Sequence, residues 1–262
     1  MSALDTRQVI APIAPLRRTP VSNGALDTEA LMGEAVRVHS EQEGWAHVTL
    51  LQDGYEGYLP STALGQPAPS THRVNVLRSF VYPGPSIKLP PLTALPFMGH
   101  VQVIAFEGDF ARINGDFGIG FVYSAHLVPI TMAYEPDFVS IAERFIGVPY
   151  LWGGKSALGI DCSGLMQLAL AGAGINAPRD SGPQQAQLGI ELPDEYLFEQ
   201  TNLRRGDFVF WPGHVGVMRD AHTLLHANGH HMLVVNEPLA DAVTRIHAST
   251  GHGISAIRRI AA

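Results

Sequence analysis

Apolar and polar positions alternate along residues 24–64. The stretch EAVRVHS places Ala35, Val36 and Val38 in a strand-like pattern. GWAHVTLLQDGYEGYLP then predicts a strand, a turn at Asp53-Gly54 and a second strand. Several short strands joined by Gly-rich turns predict a small β-barrel. Residues 74–128 repeat the pattern at a period of about 65 residues. Gly33 aligns with Gly99, Trp45 with Phe110, Gly57-Tyr58-Leu59 with Gly120-Phe121-Val122, and Leu64 with Leu127. Two copies argue for two similar barrels rather than a solenoid. Ahead of them, residues 1 to about 23 are Pro-rich and predict an irregular lead-in.

After the linker-like PITMAYEPDFVS the period changes. Phe138, Ile141, Ala142 and Phe145 recur at helical spacing. CSGLMQLALAGAG predicts a second helix with a stripe of Leu165, Leu168 and Ala169, ended near Gly172 and Gly174. Turn residues follow in NAPRDSGPQQAQLG. GDFVFWPGHVGVMRD, TLLHANG and MLVVNE then predict strands joined by tight turns. Helices first and an antiparallel sheet after predict an α+β domain. The expected division is 1–70, 71–130 and 131–262.

Composition narrows the function classes. The 262 residues carry a formal net charge of −7, and 46% are hydrophobic. No basic run or Lys/Arg stripe is present, which argues against nucleic acid and anionic membrane surfaces as partners. No apolar run reaches the length of a membrane span. Asp5, Arg7 and Gln8 interrupt any secretory-type apolar stretch near the start. The single cysteine excludes an intramolecular disulfide. Together these lead to the expectation of a cytoplasmic protein.

That cysteine, Cys162, stands between Asp161 and Ser163 at the start of the second predicted helix. A lone cysteine is most often a small buried hydrophobe. At a helix N-terminus, however, unpaired N–H groups and the helix dipole favour a thiolate. Asp161 is the expected N-cap, and the Cys162 N–H could face a developing oxyanion. A cysteine nucleophile also needs a histidine base and a group that orients it. Of 12 histidines, His214 and His226 fall on successive predicted strands, where a hairpin could join their rings. His230 and His231 follow closely, but no acid or cysteine has ligand spacing with them, so no metal is expected.

GVPYLWGG, GIDCSGLMQLAL, PRDSGPQQAQLG, LRRGDFVFW, HVGVM and LLHANG stand in the order found in the NlpC-type cell-wall cysteine peptidases. The chain resembles that family over residues 138–260. With two SH3-like barrels ahead, it resembles the branch acting on short peptides with a free N-terminal L-alanine. The resemblance implies a papain-like fold and hydrolysis of a γ-D-glutamyl–diamino acid bond, without a cofactor. It assigns Cys162 as nucleophile, His214 as base, His226 to the orienting position and Tyr150 beside the nucleophile. It places Trp152, Asp161, Ser163, Asp180 and Ser181 against substrate. From the first SH3-like domain it matches Glu34 and Tyr55, with Tyr58 as the alternative more at home in a barrel core. The implied partner is a small peptidoglycan-derived peptide met during murein recycling. The diamino acid stays open, with meso-diaminopimelate expected from its wide use in bacteria; oligomeric state is open too. An amidase or acyltransferase of the same fold and a non-catalytic cell-wall-peptide binder are the alternatives. Arg-Gly-Asp at 205–207 reads as a turn entering a strand, PSIKLPPL as an irregular connection, and Glu237 and Asp241 as solvated loop acids.

Overall fold

A computed structural model describes residues 5–199 and 202–260. The chain forms two compact units that meet in sequence at Ala133 and Tyr134. No helix among the described residues is long and apolar enough to cross a membrane.

The first unit is built of short antiparallel strands. A seven-stranded sheet runs in the order 26–31, 13–17, 56–60, 45–50, 35–42, 5–9 and 64–65. The lead-in is therefore not irregular. Residues 5–8 pair with 35–38, and residues 13–17 pair with 26–31. Prolines at 12, 15 and 20 hid these strands from the sequence pattern, yet Pro15 lies within one of them. Strict alternation buries Ala46, Val48 and Leu50 while Trp45, His47 and Thr49 face outward. These buried residues join Val9, Leu16, Val36 and Leu59 in one apolar cluster.

The repeat is visible element by element. Strands Trp45–Leu50 and Glu56–Pro60 recur as Phe110–Gly115 and Gly118–Tyr123. Each copy closes with a one-turn helix, Ser61–Ala63 or Ser124–His126, before a short strand. In the second copy a five-stranded and a three-stranded sheet enclose Val74, Val81, Leu95, Ile113 and Val122. PSIKLPPL lies in an exposed connection between the strands Arg78–Tyr82 and Thr93–Pro96.

The second unit carries α1 (Phe138–Glu143), α2 (Cys162–Gly172), α3 (Ser181–Gln187), α4 (Glu195–Glu199) and α5 (Leu239–Thr250). Its six-stranded sheet runs Ile190–Glu191, Ala256–Arg259, Phe208–Trp211, His214–Met218, Thr223–Asn228 and Leu233–Pro238. Every pairing in it is antiparallel. Helix α2 is buried from Cys162 through Leu170. A helix covered on every side belongs inside a core, and α2 lies between α1 and the sheet. The Arg-Gly-Asp stretch is used internally. Asp207 is buried, accepts from the Arg204 N–H and pairs with Arg259, while Arg205 pairs with Asp137 and Glu143.

Gly164, in the first turn of α2, has no room for a side chain. A Cβ there would stand 2.4 Å from the Gly154 carbonyl oxygen and 2.9 Å from Asp161 Oδ1. Gly164→Ala is expected to destabilise the protein by about 1–3 kcal/mol through overpacking. A urea midpoint equal to wild type would show that α2 is not held this close to the 153–154 loop.

Candidate active site

The N-terminus of α2 is fixed by one carboxylate. Asp161 has the expected N-cap role and accepts from the Gly164 N–H at 2.7 Å. The same carboxylate accepts from the Gly153 N–H at 2.9 Å. Arg179 grips both of its oxygens, Nη1 to Oδ1 at 2.9 Å and Nη2 to Oδ2 at 2.7 Å. Arg179 also donates to Ser163 Oγ at 3.0 Å and to the Gly154 carbonyl at 3.3 Å. Asp161 is 7% exposed and Arg179 2%. A charge buried so deeply requires this kind of paired, multiply bonded partner. The Asp161 and Ser163 side chains thus have partners within their own fold. Gln184 of α3, also buried, donates to the Ser163 carbonyl at 2.9 Å and ties α3 to the same turn.

Cys162 follows this cap and is buried. Its sulfur meets the backbone N–H groups of Ser163 and Val215. Val215 is the residue after His214, so the thiol lies against the strand that carries the expected base. A helix N-terminus by itself lowers a thiol pKa, the direction expected of Cys162. Burial instead pushes it up to about 11, with the neighbouring Asp161 charge adding to the rise. The two N–H groups and Arg179 only partly offset these effects. Burial likewise pushes His214 down to about 3, helped by His226 and Arg245. The resting pair is therefore a thiol and a neutral imidazole. Tyr150 is half-buried, and burial followed by the charges of Cys162 and Asp161 raises its hydroxyl, which stays protonated and able to donate.

The predicted hairpin brings the two histidines together. Strands Phe208–Trp211, His214–Met218 and Thr223–Asn228 run antiparallel, with Val217 opposite Leu225. His214 Nε2 lies 2.8 Å from His226 Nδ1. Gly216 makes the approach possible: a Cβ there would stand 3.1 Å from the His226 Cβ and 2.8 Å from Leu224 Cδ1.

His226 is fully buried, and its far nitrogen, Nε2, lies 2.6 Å from Glu237 Oε1. This corrects the sequence reading of Glu237 as a solvated loop acid. It lies on the strand Leu233–Pro238 with its side chain 10% exposed, and Arg245 of α5 bonds the same oxygen. Burial would raise this carboxyl, but the His226 hydrogen bond and the Arg245 charge outweigh it and hold the pKa at about 2. Strand register held the missed signal. His226 is paired with Val235, so Glu237 stands two residues along the partner strand, a diagonal neighbour on the same face. Asp241, in the first turn of α5, is exposed as expected. Arg179 was missed as well. Its signal was a buried N-cap aspartate in need of a cation.

The remaining sequence-selected residues lie on other elements. Trp152 is 68% exposed beside Gly153. Asp180 is exposed and Ser181 half-buried at the start of α3, directly after Arg179. Glu34 and Tyr55 belong to the first unit. Glu34 is half-buried before the strand Ala35–Gln42, and Tyr55 packs against the apolar cluster there. Tyr55 lies in the loop before the strand Glu56–Pro60, while Tyr58 on that strand stacks on His47 with ring centroids 4.7 Å apart and lies outside the apolar cluster, contrary to its expected core setting. His230 and His231 touch each other, but no group of three metal-ligating side chains occurs among the described residues.

Residues 147–255 match the NlpC/P60 family, and residues 16–64 match the bacterial dipeptidyl-peptidase Sh3 domain. The γ-D-glutamyl-L-lysine dipeptidyl-peptidase of Bacillus subtilis (strain 168) is 30% identical over 229 residues, covering 81% of this chain and 73% of that protein. This chain belongs to the NlpC/P60 family. The γ-D-glutamyl-L-lysine dipeptidyl-peptidase of Bacillus cereus (strain ATCC 10987 / NRS 248) is 28% identical over 244 residues, covering 84% and 70%. The crystal structure of an NlpC/P60 family protein from Bacillus cereus ATCC 10987 has the same fold, with a TM-score of 0.78 at 21% identity, covering 97% and 99%. The protein is thus an NlpC/P60 cysteine peptidase with a papain-like fold and an N-terminal bacterial SH3 domain.

Two outcomes test this NlpC/P60 site. Arg179→Met strands Asp161 as an uncompensated buried charge and is expected to destabilise by about 3–5 kcal/mol, with Arg179→Met/Asp161→Asn recovering part of the loss. Equal stability of the three proteins in urea would refute the pair's structural role. His214 and His226 are both held below their ordinary value of 6.5, so in acid the unfolded chain binds more protons than the folded one. Their stabilisation is complete above pH 6.5 and is lost as pH falls toward about 3. The Tm is expected to drop below pH 6.5, less steeply in His214→Gln; parallel profiles would contradict neutral burial.

Proposed function

We propose that this peptidase hydrolyses the γ-D-glutamyl–diamino acid bond of short peptidoglycan stem peptides with a free N-terminal L-alanine, releasing L-Ala-D-Glu. The carrying observation is the Cys162 sulfur at the start of α2, against the N–H of Val215, the residue that follows His214, with His214 in turn hydrogen-bonded to His226. The match to a dipeptidyl-peptidase Sh3 domain and the two Bacillus dipeptidyl-peptidases support the substrate class.

In this mechanism the Cys162 sulfur attacks the γ-glutamyl carbonyl carbon while its proton passes to His214. A thiol and a neutral imidazole at rest make this transfer part of the attack. The oxyanion is met by the Cys162 N–H and the protonated Tyr150 hydroxyl. The C–N bond then breaks as His214 gives its proton to the departing amine. Water, deprotonated by His214, cleaves the thioester and restores the thiol. No cofactor enters the scheme. His226 orients His214, and Trp152 offers an exposed aromatic surface to the peptide. Asp161 and Ser163 act through their bonds to Arg179 and the α2 turn. Asp180 and Ser181 are assigned to the substrate's amino end, and Glu34 and Tyr55 keep the substrate-binding role that the resemblance gives them. A role in murein recycling, a cytoplasmic site of action and two SH3-like domains over 1–70 and 71–130 complete the reading.

Mass spectrometry tests it. Wild type and Cys162→Ala are offered L-Ala-γ-D-Glu-L-Lys, L-Ala-γ-D-Glu-meso-diaminopimelate, their N-acetylated forms and purified sacculi. Release of L-Ala-D-Glu from the free-amine peptides alone, lost in Cys162→Ala, is expected. Glu34→Gln, Tyr55→Phe and Asp180→Asn are expected to weaken the preference for the free amine at least tenfold. Equal cleavage of acetylated peptides or sacculi removes the amine-reading role; no cleavage at all favours an amidase or a binding protein.

A further inference from the structure

The buried row that starts at His214 runs beyond His226, and its far end is ionic. Glu237 Oε1 accepts from His226 Nε2 at 2.6 Å, and Arg245 holds the same oxygen from α5. Neither Glu237 nor Arg245 belongs to the set of residues that the reaction scheme uses.

We infer that Glu237, clamped by Arg245, is a positioning residue that sets the proton positions of both histidines and so leaves His214 Nδ1 as the base. An ionised carboxylate has only lone pairs to offer, so His226 Nε2 must carry the hydrogen between them. A neutral imidazole carries a single N–H, which leaves His226 Nδ1 as a lone pair. The atom 2.8 Å away, His214 Nε2, must then donate to it. His214 Nδ1 is left with its lone pair, ready to take the thiol proton. The row transmits a choice of tautomer made at Glu237 to the atom that performs the chemistry.

Asn228 shows why a carboxylate is needed. Its Oδ1 accepts from the His231 backbone N–H at 2.8 Å and contacts His231 Nδ1 at 3.1 Å. That orientation turns Nδ2 toward His226 Nε2 at 3.0 Å. An amide NH₂ offers a hydrogen, so Asn228 alone would favour a lone pair on His226 Nε2. The proton would move to His226 Nδ1, His214 Nε2 would have to accept, and His214 Nδ1 would carry the hydrogen. The base would then face the thiol with its proton already in place. Glu237 overrides Asn228 because a charged acceptor forms the stronger bond. Arg245 keeps the carboxylate ionised where burial opposes charge.

The inference rests on His214 acting as base, and its test does not require the substrate to be correctly identified. Full-length protein labelled with ¹⁵N-histidine is compared by NMR as wild type, Glu237→Gln and Glu237→Asp. In wild type, His226 and His214 are both expected to carry their proton on Nε2. In Glu237→Gln the side-chain amide can donate, and the proton of His226 is expected on Nδ1. Iodoacetamide alkylation of Cys162 should slow at least tenfold in Glu237→Gln and recover in Glu237→Asp. With a cleaved peptide, kcat should fall on the order of 10²- to 10⁴-fold while KM stays within about twofold. A wild-type His226 protonated on Nδ1, or unchanged tautomers and alkylation in Glu237→Gln, overturns the inference. If Glu237→Gln does not fold, the wild-type spectrum and Glu237→Asp still decide it. Shifted tautomers with no peptide cleaved would leave this inference standing and sink the proposed substrate.

Discussion

The buried ion pair between Arg179 and Asp161 is the contact on which the peptidase unit's chemistry depends. Asp161 caps α2, and Cys162 is the next residue, so the nucleophile's position follows from the cap. The carboxylate is held by the Gly153 and Gly164 N–H groups and by a two-pronged guanidinium. Arg179 in turn binds Ser163 Oγ and the Gly154 carbonyl. One charge pair thus joins the 153–154 loop, the first turn of α2 and the chain entering α3. Such a pair adds little net stability over an apolar core, but it tolerates few alternative geometries. That geometric restriction is what a nucleophile held against the Val215 N–H requires.

Burial then dictates how the site carries charge. The helix N-terminus favours a thiolate, yet desolvation and the adjacent Asp161 favour the thiol more strongly. The histidines are kept neutral for the same reason. Permanent charge is pushed to the two ends of the site, Asp161–Arg179 behind the cysteine and Glu237–Arg245 behind the histidines. Between them lie neutral groups whose protons are directed by hydrogen bonds. Gly216 serves this arrangement by leaving the space that lets the His226 ring lie beside its neighbour strand.

The first unit shows a different economy. Small strands bury alternate residues, and a repeat of about 65 residues produces two cores of similar design. Its seven-stranded sheet recruits residues 5–9 and 13–17, which the Pro-rich pattern had concealed. A proline has no N–H to donate, but a strand tolerates it where that donor is not needed, and only the pairing shows where that is so.

Much of this protein was legible in the order of its residues. Helical spacing placed α1 and α2, alternation placed several strands of residues 24–64, apolar stretches between turn residues placed strands of the peptidase sheet, and the Asp-Cys-Ser tripeptide at a helix start marked the nucleophile. His214 and His226 were legible because a tight turn forces neighbouring strands together. These are local patterns, governed by backbone geometry over a few residues. Arg179, Glu237, Arg245 and the outward setting of Tyr58 were not legible. Each depends on which face a side chain takes and on what distant segment arrives opposite it. The direction of the Cys162 pKa shift was misread for a related reason: the helix terminus is written in the sequence, whereas the loss of water around the sulfur exists only once the chain has packed.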